Sequence, residues 1–307
     1  MRGPPLVWVL LAKGAGDNNQ LLRLAGELGL PFRALELAYN PLHYLPPKLL
    51  GSSLATLKPR SRPEVHGPWP SLVLGIGNRS VPVALAIRRL SGGKAKLVRI
   101  GNPRLASRNF DLVLTTAQYR VPDAANVLQL PISINTAPHV EPTREEAEWL
   151  AKLPRPHRLL LIGGDTFMWA LRPDRVGEAA SKLKSRGGCV IAVSSGRTGK
   201  SVIDAVASAL DGSVCGLVWG SFPQYPVLLA DADEIHVTAD SVAMVSDAVA
   251  TGKPVGLIEP EKTSSGKFFY ALERLGLKVP VRDIRHFWTG IRARGLAGTV
   301  DEPIAGR

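Results

Sequence analysis

Apolar positions along the chain fall into short, β-rich runs separated by longer stretches with helical spacing. Runs occur at 6–12, 32–37, 71–76, 96–100, 111–116 and 126–130. Between several of them lie segments such as NNQLLRLAGELG and VPVALAIRRL, whose apolar residues recur every three or four positions, the period of one helix face. A stretch rich in proline and charge, APHVEPTREEAEWLAKLPRPH, then interrupts the pattern. Alternation resumes with apolar runs at 158–164, 188–195, 213–220, 233–240 and 253–260, separated by helical patterns at 174–186, 200–210, 241–251 and 265–275. Strands alternating with helices predict parallel sheets covered on both faces. The restart predicts two doubly wound α/β domains, residues 1–145 and 155–282, joined near 140–157. The last helical segment, RDIRHFWTGIRARG, has no evident strand after it, so residues 283–307 are expected to pack back on the first domain.

Length agrees with this division, since 307 residues exceed the size at which one hydrophobic core keeps growing. Hydrophobic residues make up 45% and charged residues 21%, ordinary for a chain that folds in water. Thirty-eight Lys and Arg against 26 Asp and Glu give a net charge of +12, a field that favours anionic partners, including acidic lipid surfaces. Aromatic residues are only 6% and do not interleave with basic runs, which argues against nucleic acid as a partner. Cys189 and Cys215 each sit in an apolar stretch without metal-type spacing and read as buried thiols in a reducing, cytoplasmic setting. Residues 4–12 are apolar but too short to span a bilayer, and with only Arg2 before them and no Ala-x-Ala after, they read as a first strand.

In open parallel sheets, ligands bind beyond the carboxyl ends of the strands, where helix N-termini offer backbone N–H groups and a positive dipole. Four strand-to-helix turns have suitable residues. KGAGDNNQ, Lys13 to Gln20, offers Lys13, two glycines that permit close backbone approach, and Asp17 or Asn18 as a helix cap. GIGNRS places Arg79 near a helix start. LIGGDTF holds the pair Gly163 and Gly164, suited to a diphosphate. VTADSVAMVSDAVATGKPV offers Asp240 or Ser241 as N-cap, the hydroxyls of Ser241 and Ser246, and Asp247 six residues into the helix. A carboxylate there is placed to accept hydrogen bonds from a ribose. Each turn is also consistent, on its own residues, with an ordinary capped connection.

A fifth turn, SSGRTGKS, approximates a nucleotide-triphosphate P-loop, but Ser194 stands where the first glycine belongs. Asp231 and Asp233 precede a strand instead of ending one, so no magnesium-binding carboxylate follows. The turn reads better as a polar, basic wall carrying Ser195 and Arg197. No His-Glu-x-x-His, Gly-x-Ser-x-Gly or clustered Cys/His pattern occurs, leaving metal-dependent hydrolysis and serine-nucleophile chemistry without a foothold.

At HVTADSVAMVSDAVATGKPVGLIEPE the chain resembles the mitochondrial fission ELM family, and the resemblance extends to KGAGDNNQ, NRSVPVALAIRRLSGGKAKLVRIGNPR, LLLIGGDTF and AVSSGRTGKS. It implies a GT-B-like arrangement of two Rossmann-like domains with an interdomain cleft. The helix at 241–251 is similar to the donor-binding helix of lipid-linked N-acetylglucosaminyltransferases, in which a Glu seven residues before a Pro holds the donor ribose; here that residue is Asp247. Asp17 matches the place of a catalytic-site His in the acceptor-side loop of those enzymes, and their usual glycine run is absent.

The resemblance implies metal-independent sugar transfer, with no cofactor beyond the nucleotide-sugar co-substrate. The donor would be a nucleotide-diphosphate sugar. The acceptor would be a lipid-linked or lipopolysaccharide-core glycan at the inner face of the membrane, with peripheral contact to anionic lipid. Asp17 would be general base, its pKa tuned upward by partial burial. Lys13, Gly14, Gly16, Asn18 and Arg79 would hold the acceptor. Gly163, Gly164, Ser195, Arg197, Ser241, Met244, Ser246 and Asp247 would hold the donor. The competing expectation is a non-catalytic, membrane-associated scaffold that retains the fold.

Overall fold

The computed structural model describes residues 6–134, 140–211, 217–218, 222–275 and 282–305. Two units result, Met1–Asn135 and Thr136–Arg307. The first runs β1 (Val7–Leu10), α1 (Ala15–Glu27), β2 (Phe32–Leu35), α2 (Pro47–Leu50), β3 (Leu72–Ile76), α3 (Gly77–Leu90), β4 (Lys96–Ile100), β5 (Leu112–Thr116) and β6 (Val127–Leu130). All six strands are parallel, in the order β2-β1-β3-β4-β5-β6.

Alternation along β1 shows why this sheet is covered on both faces. Val7 and Val9 pack with Leu21 and Ala25 of α1, whereas Trp8 and Leu10 pack with Val83 and Ile87 of α3. All four strand residues are buried, each contributing roughly 1.5–3 kcal/mol of transfer free energy. The outer strands β2 and β6 are half-exposed, as edges must be.

The second unit runs α4 (Arg144–Ala151), β7 (His157–Ile162), β8 (Trp169–Ala170), α5 (Pro173–Ser185), β9 (Cys189–Ser194), α6 (Lys200–Leu210), β10 (Leu217–Val218), α7 (Tyr225–Asp231), β11 (Glu234–Thr238), α8 (Val242–Ala250), β12 (Pro254–Ile258), β13 (Glu261–Lys262), α9 (Ser264–Arg274), α10 (Ile284–Ala293), β14 (Gly298–Thr299) and β15 (Ile304–Ala305). Its main sheet has the order β10-β9-β7-β11-β12-β14, parallel throughout, with β15 antiparallel on β12. On one face, Leu160, Ile162, Val190 and Ala192 pack against Val176, Ala180 and Leu183 of α5 and Val202 and Val206 of α6. In each sheet the strand order reverses once beside the first strand, between β1 and β3 and between β7 and β11. Crevices for ligands open beyond the carboxyl ends of strands at such points.

Two expectations need correction. The junction near 140–157 holds the helix α4, which Thr143 and Glu146 start with a reciprocal capping box. Glu146 also accepts the Gln224 amide at 2.7 Å, tying α4 to the second unit. The tail expected on the first domain instead completes the second. Trp288 of α10 donates its indole N–H to Ala239 O at 2.7 Å, and β14 and β15 join the second sheet. Of the strand predicted at 213–220 only Leu217–Val218 is described, and Cys215 lies outside the described residues. Cys189 is buried. No helix among the described residues is long and apolar enough to cross a membrane.

Candidate functional site

In the second unit, the loop leaving β7 carries Gly163 and Gly164 to the point where strand order reverses. Gly163 N donates to Thr238 Oγ1 at 2.7 Å and Gly164 N to Asp240 Oδ2 at 3.0 Å. Thr238 in turn donates its hydroxyl to Asp240 Oδ1 at 2.7 Å. The glycine amides expected to hold a diphosphate are therefore turned inward, one onto the Thr238 hydroxyl and the other onto the buried Asp240 carboxylate. Glycine is required for a different reason. A Cβ on Gly163 would lie 2.3 Å from the Asp240 carboxylate, and one on Gly164 would lie 2.1 Å from the carbonyl oxygen of Arg197.

Arg197 is equally committed. Its Nη1 donates to the carbonyls of Gly164 and Asp165 at 3.0 and 3.2 Å, and its Nη2 donates to Asp240 Oδ2 at 3.1 Å. The guanidinium expected to meet a diphosphate thus staples the β7 loop to the residue preceding α8. Ser195 lies in the same turn, with its amide on Thr198 Oγ1 at 2.8 Å and its hydroxyl accepting Arg197 N at 3.3 Å. Lys200, the P-loop-like lysine, bonds both oxygens of Asp204 on its own helix at 2.8 and 2.7 Å. Asp231 and Asp233 pair with Arg155 and His157 at the opposite, amino end of the strands.

Helix α8 begins beside this cluster. Ser241 is its N-cap and accepts Met244 N at 3.4 Å. Helix geometry leaves the amides of Val242 and Ala243 ahead of the first intrahelical acceptor, which makes them the outward donors of this end. Met244 and Asp247 are half-buried on the helix. Asp247 Oδ2 accepts the Tyr225 hydroxyl at 3.2 Å, and burial together with the Asp247 charge pushes that phenol well above its usual range. Ser246 departs from expectation: it is fully buried and returns its hydroxyl to Val242 O at 2.7 Å, a bond within its own helix.

In the first unit, α1 opens at Gly14 as N-cap, so neither Asp17 nor Asn18 caps it. Asp17 lies in its first turn, within electrostatic reach of Arg99. Asn18 folds back on the strand end, accepting Ala12 N at 2.7 Å and donating to Ala12 O at 3.3 Å. It fixes the loop instead of facing a ligand. A Cβ on Gly16 would meet nothing within 4 Å and one on Gly14 only Asp17 Oδ2 at 3.9 Å, so the chain leaves space above this helix start. Arg79, in the first turn of α3, lies 5.3 Å from the Tyr39 ring centroid. Burial lifts the Tyr39 phenol to about 12 against the pull of Arg79 and Arg99. Lys13, Asn78 and Arg79 join His43, Tyr44 and Arg104 around a cavity of 720 Å³ at the β1/β3 reversal.

Beneath α3, the fully buried Arg99 donates to Ser80 Oγ at 2.8 Å and to Asn102 O at 3.3 Å. Burial lowers its guanidinium to about 10, which leaves it charged at neutral pH. Arg99, Arg104, Thr238, Tyr225 and the clamp role of Asp240 were not singled out from sequence. For Arg99 a signal existed, a cation between Val98 and Ile100 in a strand buried on both faces.

A family model described as mitochondrial fission ELM1 matches residues 15–296. The chain belongs to this family. A curated relative, the mitochondrial fission protein ELM1 of Arabidopsis thaliana, is 25% identical over 224 residues, 62% of this chain and 51% of that protein. The ELM1-family chain thus matches about half of that relative's length. Among solved structures it is similar to UGT89C1 of Arabidopsis thaliana complexed with UDP-L-rhamnose, with a TM-score of 0.55 and 12% identity, covering 96% of this chain and 84% of that one. MurG of Acinetobacter baumannii gives a TM-score of 0.51 at 13% identity, covering 96% and 85%. MnaA of S. aureus with UDP gives 0.50 at 11%, covering 94% and 87%. At these identities the likeness lies in the fold, which is of the GT-B type.

Proposed function

We propose that this ELM1-family chain is a GT-B-type glycosyltransferase that moves a sugar from a nucleotide-diphosphate donor to a lipid-linked or lipopolysaccharide-core acceptor. The observation that carries the reading is α8: its capped N-terminus opens at the strand reversal of the second sheet, and Asp247 follows on the same helix. On this reading the diphosphate would sit at this helix end and not on the glycine loop, whose amides are already taken. Val242 and Ala243 N–H groups and the Ser241 hydroxyl would meet the charge that develops on the leaving diphosphate. Asp247 would accept the ribose hydroxyls, sharing or replacing the hydrogen bond from Tyr225. On the first unit, Asp17 would take the acceptor's proton as general base, with Lys13 and Arg79 holding the acceptor. The reading calls for no cofactor beyond the nucleotide sugar.

A second reading, a non-catalytic scaffold with a GT-B fold, is favoured by one observation: Thr238 and Asp240 already take the Gly163 and Gly164 amides. Thermal unfolding with UDP-, GDP- and CMP-linked sugars separates the two. A donor at a hundredfold excess over its Kd stabilises by about 2.7 kcal/mol and raises Tm by several degrees. A panel in which no nucleotide sugar shifts Tm removes the transferase reading and leaves the scaffold.

A further inference from the structure

The cavity at the β1/β3 reversal is lined by both cations and apolar side chains. Lys13, Arg79 and Arg104 line it, and its lining includes no carboxylate. None of the three forms an ion pair with a described acidic residue, whereas Arg33 pairs with Glu64 and Arg88 with Asp111. Arg104 is held at φ 57°, a left-handed conformation costly for a side chain, by its amide hydrogen bond to Asn102 Oδ1 at 2.8 Å. Buried Arg99 adds charge from below.

The segment across the cavity, residues 41–50, exposes what a water-facing segment normally hides. Tyr44 is 83% exposed, Leu49 74% and Leu45 44%. Such apolar groups gathered beside unneutralised cations match a molecule with an anionic head and a hydrocarbon tail.

We propose that this pocket binds the phosphate of a membrane-borne lipid, with Lys13, Arg79 and Arg104 on the phosphate and Tyr44, Leu45 and Leu49 entering the acyl layer. The inference rests on the reading of this pocket as the acceptor side of a transferase. It narrows the acceptor to a phosphate-bearing amphiphile that the protein meets at the bilayer surface.

The test is co-sedimentation of the full chain with vesicles of phosphatidylcholine alone and of phosphatidylcholine with phosphatidic acid, four parts to one. Binding is expected only to the second. Each lipid-facing cation is worth about fivefold in partitioning, so Lys13→Gln, Arg79→Gln and Arg104→Gln together should cost about a hundredfold. A charge-matched control, Lys58→Gln, Lys94→Gln and Arg108→Gln, alters exposed cations outside the pocket and should lose far less. Leu45→Ser with Leu49→Ser should weaken binding while the three cations remain. Equal losses in the two triple variants would assign binding to overall charge and overturn the proposal, as would indifference of the wild type to phosphatidic acid. Release of the wild type by inorganic phosphate, at a concentration at which sodium chloride of equal ionic strength leaves it bound, would assign the pocket to free phosphate and overturn the lipid source. Nucleotide-sugar melting of the same variants reads the second unit, so failure of the donor site and failure of the lipid pocket appear in different assays.

Discussion

Arg197 donates Nη2 to Asp240 Oδ2 at 3.1 Å, joining a guanidinium that is 48% exposed to a carboxylate that is 1% exposed. The carboxylate also holds Gly164 N and Thr238 Oγ1, so it organises three segments that are distant in sequence. Asp240→Ala strips a partner from a buried amide and a buried hydroxyl at once. It should destabilise by about 3 kcal/mol in urea unfolding, and Asp240→Asn by less, because the amide oxygen still accepts. Wild-type stability in Asp240→Ala would mean that the cluster contributes nothing net.

The two loop glycines make a steric prediction. Gly164→Ala sets a methyl 2.1 Å from the Arg197 carbonyl oxygen, a contact only backbone movement relieves. A loss of about 3 kcal/mol is expected, in the range of severe overpacking. Gly196→Ala, directly after the serine pair of the Arg197 turn, meets nothing within 4 Å and should change stability by less than about 1 kcal/mol. Comparable losses in both would show that the close approach is not what fixes glycine at 164.

Asp247 should matter to donor affinity more than to stability. Asp247→Asn keeps an acceptor for Tyr225 but weakens hydrogen bonding to a ribose, and calorimetric titration with the nucleotide sugar that shifts Tm should show at least a tenfold rise in Kd. Tyr225→Phe removes the phenol that holds the carboxylate at 3.2 Å and should leave affinity unchanged or improve it. Unaltered affinity in Asp247→Asn removes its assigned role.

For the chemical step, Asp17→Asn should abolish transfer by at least a hundredfold while donor binding, read by the same titration, is retained. Full turnover in this variant would exclude Asp17 as general base.

Acid sensitivity of the second unit should trace in part to Glu234. The hydrogen bond from His236, with the charges of His236, Arg158 and Arg186, holds its carboxyl below 4.5 despite burial. A depressed folded-state pKa contributes stability that is fully present above the unfolded value and is lost as pH falls through the folded one. Glu234→Gln should therefore lower Tm at neutral pH and flatten the decline of Tm below about pH 4.5. A variant whose decline parallels the wild type would place the acid-labile groups elsewhere.

Much of this fold could be read from hydrophobic spacing, because parallel strands buried on both faces leave continuous apolar runs such as Val7 to Leu10 and Leu159 to Ile162. What escaped was short. The strands at Gly298–Thr299 and Ile304–Ala305 have two residues each and carry no periodicity, so the tail was assigned to the wrong unit. The start of α8 was legible from Ser241 and from Gly252 at its end, residues whose chemistry is local. The use of Gly163 and Gly164 was not. A glycine announces that something comes close without saying what, and here the groups are the Asp240 carboxylate at Gly163 and the Arg197 carbonyl at Gly164, both far along the chain.

Asp240 has a consequence for what the second sheet admits. A dissolved oxyanion seeking the Gly164 amide competes with a group tethered beside it, whose effective concentration is at least millimolar. Sulfate or inorganic phosphate has no second handhold with which to win that contest. On the proposed reading, a guest long enough to grip α8 at several points would bypass that contest, so the unit would screen by molecular length before charge is weighed.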